Sequence, residues 1–280
     1  MKNIITATVL TLFFVFKGAG GIFLYAQDSG EVYRQGIEYA AQGKFKEAGE
    51  WFTGILKKNR DDSTSASSLE VIRDLESGKI NPAYARSFFL ALDFLQKGKI
   101  EEGLAEIEKT IALDPGYPRP YNVAGMIYAS MGDKEKSIES LRKAVAADPR
   151  YSQAYFNLGL VYQSSAQPLE ALESYRKAVS LDPDFRDALL NLGAVYASLG
   201  KYDEAVKSYR KAIPLDRNNP ALYYNLALVY LMSDNFMKFR ENLLKAEDLY
   251  RRNNDAEGQE KVAVYMKKIE AIEKKLKHSG

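Results

Sequence analysis

The chain has 280 residues, of which 46% are hydrophobic and 27% charged, values typical of a globular protein. It has no cysteine and a single histidine, His278, so disulfides, zinc ribbons and thiol or Ser-His-Asp nucleophiles are excluded. Lysine and arginine total 39 against 37 acidic residues, which leaves no excess positive charge for nucleic acid. We therefore expect no catalytic residue, metal, cofactor or nucleic-acid partner.

Residues 1–26 have the layout of a secretory signal peptide. The basic Lys2 precedes an apolar stretch from Ile4 to Phe16, and Ala26 is the preferred cleavage position. The alternative is an uncleaved membrane anchor, which reaches the required length of about 20 apolar residues only by burying Lys17. Both interpretations place the rest of the chain outside the cytoplasm, periplasmic, secreted or membrane-anchored.

A 34-residue period fills most of the remaining sequence. The tripeptide Arg-Lys-Ala recurs at 142–144, 176–178 and 210–212. Within one period, 152–185, the apolar residues are spaced as on two amphipathic helices: Tyr155, Leu158, Gly159 and Tyr162 on the first, and Ala171, Tyr175 and Ala178 on the second. The period therefore predicts a helical hairpin.

Glycine and proline mark the ends of the predicted helices. Glycines 98, 132 and 200 fall in the turn inside a period, where a helix C-cap favours glycine. Prolines 115, 149 and 183 follow the second helix and cannot continue it. Pro214 comes three residues early, so that helix is predicted to end or kink near Ile213.

The pattern in 152–185, completed by Pro183, resembles the tetratricopeptide repeat (TPR) family. Six copies are identified on this pattern, at 29–62, 84–117, 118–151, 152–185, 186–219 and 220–253. The resemblance implies an all-α fold, a right-handed superhelical solenoid of helix-turn-helix repeats.

Two segments lie outside the repeats. The block 63–83 is interpreted as a linker insertion with a serine-rich start, 63–68, and room for a short helix from Leu69 to Glu76. Residues 254–280 predict a C-terminal capping helix and tail, because the last of five consecutive repeats in 84–253 needs a cover for its apolar face.

The resemblance also implies a peptide-binding groove lined by the first helix of each repeat. Three asparagines at 34-residue spacing, Asn157, Asn191 and Asn225, precede the framework leucine and are expected to face this groove. A carboxamide both donates and accepts a hydrogen bond, so it can pair with a peptide unit of an extended chain. The structural alternative is that these asparagines bond only within the helix junctions. Neighbouring groove positions by the same register are Arg119, Asn122, Met126, Phe156, Leu160, Gln163, Leu190, Tyr224 and Leu228.

This lining is apolar with few charges, so a receptor for acidic C-terminal motifs is not favoured. We expect a non-enzymatic scaffold or adaptor that binds an extended segment of a partner protein. A self-assembling or membrane-anchored scaffold of an envelope complex is the alternative, and a repeat module attached to an enzyme is a distant third. No small-molecule substrate is expected.

Overall fold

A computed structural model of the protein describes residues 30–59 and 62–278. The predicted signal peptide of residues 1–26 and Arg60 lie outside these ranges. The described residues form α-helices and one short 3-10 turn and contain no strand. The helices are α1 Gly30–Ala41, α2 Phe45–Lys58, α3 Ser63–Glu76, α4 Pro82–Gln96, α5 Ile100–Leu113, α6 Pro118–Ser130, α7 Lys134–Ala147, α8 Ser152–Ser164, α9 Pro168–Leu181, α10 Arg186–Ser198, α11 Tyr202–Ala212, α12 Pro220–Met232, α13 Phe236–Arg252 and α14 Ala256–His278.

Each predicted repeat corresponds to two of these helices, which we call its A helix and its B helix. The A helices are α1, α4, α6, α8, α10 and α12, and the B helices are α2, α5, α7, α9, α11 and α13. The prediction of an all-α fold built from helical repeats is confirmed. The predicted right-handed superhelical path stays a prediction.

The turns between A and B helices share one left-handed backbone position, 34 residues apart. Glycine occupies it at 98, 132 and 200, with φ of 73°, 83° and 72°. Ala166 and Asp234 occupy it in the other two of the five repeats in 84–253, with φ of 54° and 58°. The left-handed region is costly for residues with a Cβ, so glycine is the favoured residue there.

The described helices fall into two compact units, divided between residues 166 and 167. We call residues 30–166 the N-terminal unit and residues 167–278 the C-terminal unit. The core of the N-terminal unit joins helices α1 to α6. In it the ring of Phe52 on α2 stacks on Phe89 of α4, with centroids 6.5 Å apart.

The serine-rich start of the insertion forms helix rather than a linker. α3 begins at Ser63, and its N-cap Asp62 accepts a hydrogen bond from the backbone N–H of Ser65 at 2.7 Å. Ser65, Ser68, Leu69 and Ile72 are buried on one helical stripe, and Ile72 is only 1% exposed. The expectation that 63–68 is a linker is therefore wrong. The pattern suggested a linker because Ser65 and Ser68, two small polar residues, are buried at positions where a packed helix usually has apolar residues.

The C-terminal unit has its own hydrophobic core, formed by α10 to α14. As predicted from Pro214, α11 ends at Ala212 and the 3-10 turn Ile213–Leu215 follows it. α14 packs against α13, and its Val262 and Tyr265 are buried in this core. The C-terminal segment thus covers the last repeat.

Candidate ligand-binding site

A cavity of about 490 Å³ lies in the N-terminal unit, between α3 and the A helices. We call it the α3 cavity. Its apolar lining includes Phe88 and Leu92 of α4 and Val123 and Met126 of α6. The other lining residues are Tyr33, Thr64, Ala66, Ser67, Ser68, Glu70, Leu95, Gln96, Arg119, Asn122, Asp148, Arg150, Tyr151, Ser152, Gln153 and Asn157. Its volume and its mixture of apolar wall and few polar groups are typical of ligand sites, which measure roughly 300–1,000 Å³.

A chain of carboxamides crosses one side of the cavity. Gln153 Nε2 donates to Asn157 Oδ1 at 3.1 Å, and Asn157 Nδ2 donates to Asn122 Oδ1 at 2.8 Å. Asn157 is 3% exposed and Asn122 is 8% exposed. The Asn157 carboxamide thus joins α8 to α6, and its role in peptide binding stays a prediction.

Arg119 connects α6 to α3. Its Nη1 donates to Ser67 Oγ at 2.7 Å, and its Nη2 pairs with the Glu70 carboxylate. The guanidinium lies over the Tyr151 ring, 5.6 Å from the centroid. Burial acts to lower the pKa of Arg119, but the facing Tyr151, Tyr117 and Glu70 raise it, so the guanidinium stays charged.

Two further tyrosines fix α3 over the cavity. The Tyr117 hydroxyl donates to the Asp74 carboxylate, and the hydroxyls of Tyr33 and Ser68 lie 2.8 Å apart in a hydrogen bond. Burial, and then the bond to Asp74, raise the pKa of Tyr117, so its phenol remains a neutral donor. The polar contacts of α3 therefore reach both α1 and the start of α6.

One polar group in the cavity wall is left without a partner. The Oε1 atom of Gln96, the last residue of α4, is buried and accepts no hydrogen bond from any residue that the structure describes. A buried polar atom without a partner costs about 1–3 kcal/mol. Because the Oε1 atom has almost no surface open to the cavity, a ligand in the cavity does not reach it.

The predicted groove residues are distributed over several environments. Arg119, Asn122, Met126 and Asn157 meet at the α3 cavity. The other predicted residues of α8, which are half-exposed and outside the cavity lining, are Phe156, Leu160 and Gln163. In the C-terminal unit three of the predicted groove residues are half-buried: Leu190, Asn191 and Asn225.

In the C-terminal unit one predicted asparagine bonds to its own helix, and two predicted lining residues are buried. Asn191 Nδ2 donates to the Asp187 carbonyl oxygen of its own helix at 2.9 Å. Tyr224 is buried, and its ring meets those of Tyr250 and Tyr265 edge-on at 6.5 and 6.3 Å. Leu228 is fully buried. Tyr224 and Leu228 therefore belong to the core, because α13 and α14 cover the face that the register assigned to a groove.

Sequence reasoning missed the α3 wall, Gln96 and Tyr151. The stripe of Ser65, Ser68, Leu69 and Ile72 has helical spacing, which is the signal that could have identified α3. For Gln96 no comparable signal exists, because its isolation depends on which side chains surround it.

In the part of the chain that the structure describes, no helix combines the length and the apolar character that a membrane span requires. Within the same residues, no three His, Cys, Asp or Glu side chains gather in a way that suits a metal ion.

The sequence model described as TPR repeat matches residues 125–165, 170–200 and 195–234. A comparison with curated protein sequences gives no match. Similar solved structures include YrrB, described as a TPR protein with an unusual peptide-binding site, which is 23% identical, covers 78% of this chain and 97% of its own, and has a TM-score of 0.55. MamA from Desulfovibrio magneticus RS-1 is 20% identical over 63% of this chain and 99% of its own, with a TM-score of 0.56.

PilW, described as a widely conserved type IV pilus biogenesis factor, is 18% identical over 66% of this chain and 93% of its own, with a TM-score of 0.53. These likenesses concern the fold. The matched segments show tetratricopeptide repeats within residues 125–234, and helical hairpins at the same 34-residue spacing lie on both sides of this region.

Proposed function

We propose that the protein is a non-enzymatic interaction scaffold that binds a segment of a partner protein on the A-helix face of its N-terminal unit. The observation that carries the proposal is the α3 cavity, where residues from α4, α6 and α8 meet around an apolar wall with a few placed polar groups. Phe156 and Leu160, half-exposed on α8, extend the apolar surface that a segment would contact. The description of YrrB as having a peptide-binding site agrees with this use of the fold.

The same proposal places the scaffold outside the cytoplasm, on the sequence of residues 1–26. In the C-terminal unit, Tyr224 and Leu228 are covered, so the proposed contact surface does not include them. The binding energy comes from buried apolar area more than from the asparagines, because Asn157 already bonds to Asn122 and Asn191 to its own helix.

A displayed library of random peptides, selected against the full chain, tests this function. We expect peptides with apolar side chains to be enriched and to bind the Leu160→Glu variant at least tenfold more weakly. The matched control is Leu169→Glu, because Leu169 is 63% exposed in the C-terminal unit and lies outside the proposed surface. Failure to enrich any peptide, or equal loss of binding in both variants, would contradict the proposal.

A further inference from the structure

The first repeat leaves exposed a face that a later repeat covers. Val32 of α1 is 57% exposed, whereas Leu189, which stands at the same repeat position on α10, is 1% exposed. α10 packs against α9, the B helix of the preceding repeat. Within the ranges that the structure describes, no helix precedes α1 to cover Val32 in this way. This face of the first repeat is therefore open to a partner.

The sequence of α2 departs from the other B helices at an exposed glycine. Gly54 stands where all five later repeats carry a lysine, at 109, 143, 177, 211 and 245. A Cβ at Gly54 would have nothing within 4 Å. Glycine is less favourable than lysine inside a helix, so the fold of the single chain gains nothing from this exchange.

The single tryptophan of the chain, Trp51, also lies on α2 and is 37% exposed. Its position holds smaller or polar residues in the later repeats, namely Glu106, Ser140, Ser174, Ser208 and Asn242, and each of these is buried or half-buried. Trp51 is held against α1, because its Nε1 donates to the Val32 carbonyl oxygen and its ring meets Tyr39 edge-on at 5.9 Å. A large, fixed aromatic ring thus stands next to the open face.

Trp51 and Gly54 share one exposed stripe of α2 with two charged residues, Glu47 and Lys58. The four residues, which we call the α2 stripe, follow one another at intervals of 4, 3 and 4 positions. This is the spacing of the contact seam of a coiled coil. Neither Glu47 nor Lys58 forms an ion pair with a residue that the structure describes, so both charges are available to a partner.

The α2 stripe is complementary to a second copy of itself. Its two charges are opposite in sign and lie at opposite ends, and its largest residue adjoins its smallest. In an antiparallel pair of α2 helices, the two-fold axis that brings Glu47 opposite Lys58 also brings Trp51 opposite Gly54, because both pairs are centred on the same point of the helix. A parallel pair would instead place like charges opposite one another, which is unfavourable.

We propose that the protein forms a two-fold dimer through the α2 stripe, in which Trp51 of each copy packs on Gly54 of the other between two Glu47–Lys58 ion pairs. Val32, beside Trp51, extends the apolar centre. The surface is small and exposed ion pairs contribute little individually, so we expect micromolar association. No residue of the α2 stripe lines the α3 cavity, so the inference goes beyond the proposed peptide binding and does not depend on it.

Sedimentation equilibrium of the full chain tests this dimer. We expect Glu47→Lys and Lys58→Glu each to weaken dimerisation at least about tenfold, because each substitution places like charges opposite one another. An equimolar mixture of these two variants should recover the parent affinity to within about threefold, since the mixed dimer again has two pairs of opposite charge. The matched control is Glu170→Lys, because Glu170 is exposed at the position of Glu47 in α9 and should leave dimerisation unchanged.

A substitution at the centre of the stripe keeps the test independent of the charges. Gly54→Lys introduces the residue that the later repeats carry, and it should abolish dimerisation while leaving the unfolding temperature of the monomer unchanged or higher. A residue that serves only the fold of the single chain would not give this combination. Trp51 fluorescence follows the same equilibrium and should shift to shorter wavelength as the protein concentration rises, because the chain has no other tryptophan.

Two results would overturn the inference. One is a chain that stays monomeric up to millimolar concentration, in which case the open face is left to the residues before Gly30 or to a different protein. The other is a dimer that neither Gly54→Lys nor the two charge substitutions weaken, which would place the contact between copies elsewhere. Both results leave the proposed peptide binding standing, since the peptide library probes a different surface.

Discussion

The regular repeats of 118–253 and the irregular region 30–81 bring their helices together in different ways. In two of the regular repeats a glycine of the A helix receives a large side chain of the B helix: a Cβ at Gly125 would lie 2.5 Å from Leu141 Cγ, and one at Gly193 would lie 2.8 Å from the Tyr209 ring. In the irregular region α1 packs directly on α4, and α3 brings serines to its buried face. The repeat motif therefore specifies the glycine contacts of the regular repeats. The packing of the irregular region depends on α3, which has no counterpart in the 34-residue period.

The largest expected effect on the free energy of unfolding tests whether residues 63–76 form a packed helix or a linker. Ile72→Ala should lower the free energy of unfolding by about 2–5 kcal/mol, because it leaves a cavity in the core of the N-terminal unit. Leu113→Ala is the control, since Leu113 is 45% exposed at the end of α5 and should cost much less. Chemical denaturation of both variants measures the difference. Equal, small costs would show that α3 is not part of the core.

The next effect concerns the close helix contacts of the regular repeats. Gly125→Ala should destabilise the protein by about 1–3 kcal/mol, because the new Cβ overlaps Leu141 and approaches the Ser137 carbonyl oxygen at 3.1 Å. Gly54→Ala should instead stabilise α2 by about 0.5–1 kcal/mol, because nothing lies within 4 Å of a Cβ there. Thermal unfolding should show shifts of opposite sign, and a stabilised Gly125→Ala would refute the packing of this repeat.

The third effect compares the loss of a buried, hydrogen-bonded asparagine, Asn157, with the loss of a half-buried one, Asn225. Asn157→Ala should cost about 1–3 kcal/mol of stability, because it leaves the buried Asn122 Oδ1 without its donor. Asn225→Ala, at a half-buried position of α12, should cost less than about 1 kcal/mol. Denaturant titration of the two variants is the measurement. Equal costs would remove the distinction between the two asparagines.

The smallest effect lies in the turns, where the regular repeats differ from one another. Ala166 has a φ of 54°, while the equivalent Gly132 has a φ of 83°. Ala166→Gly should stabilise the protein by about 1 kcal/mol, since the glycine adopts this region without a Cβ penalty. Ala105→Gly, at an exposed position in the interior of α5, should destabilise it by a similar amount. A melting temperature lowered by both substitutions would contradict the left-handed turn at 166.

The periodic part of the fold could be predicted from the sequence because its signals are local. Prolines, turn glycines and 3.6-residue spacing are visible in one period, and Pro214 alone predicted the end of α11. The second half of α3, from Leu69 to Glu76, was predicted, but its first half was not, because Ser65 and Ser68 are buried as small polar residues that resemble a linker. The Asn157–Asn122 bond could not be foreseen, since it joins different register positions of two consecutive repeats. The burial of Tyr224 depends in the same way on Tyr250 and Tyr265, which lie far along the chain.

The central claim is that α3 is a packed helix that closes one side of the ligand site. Native-state hydrogen exchange of the backbone amides of α3 and α4 tests it most directly, because a packed helix exchanges by cooperative opening and a linker does not. We expect the amides in the body of α3, from Ala66 to Leu75, to be protected to within about tenfold of those of α4. Exchange of these amides at the rate of an unstructured peptide, with α4 fully protected, would contradict the account and leave the A helices as an open groove.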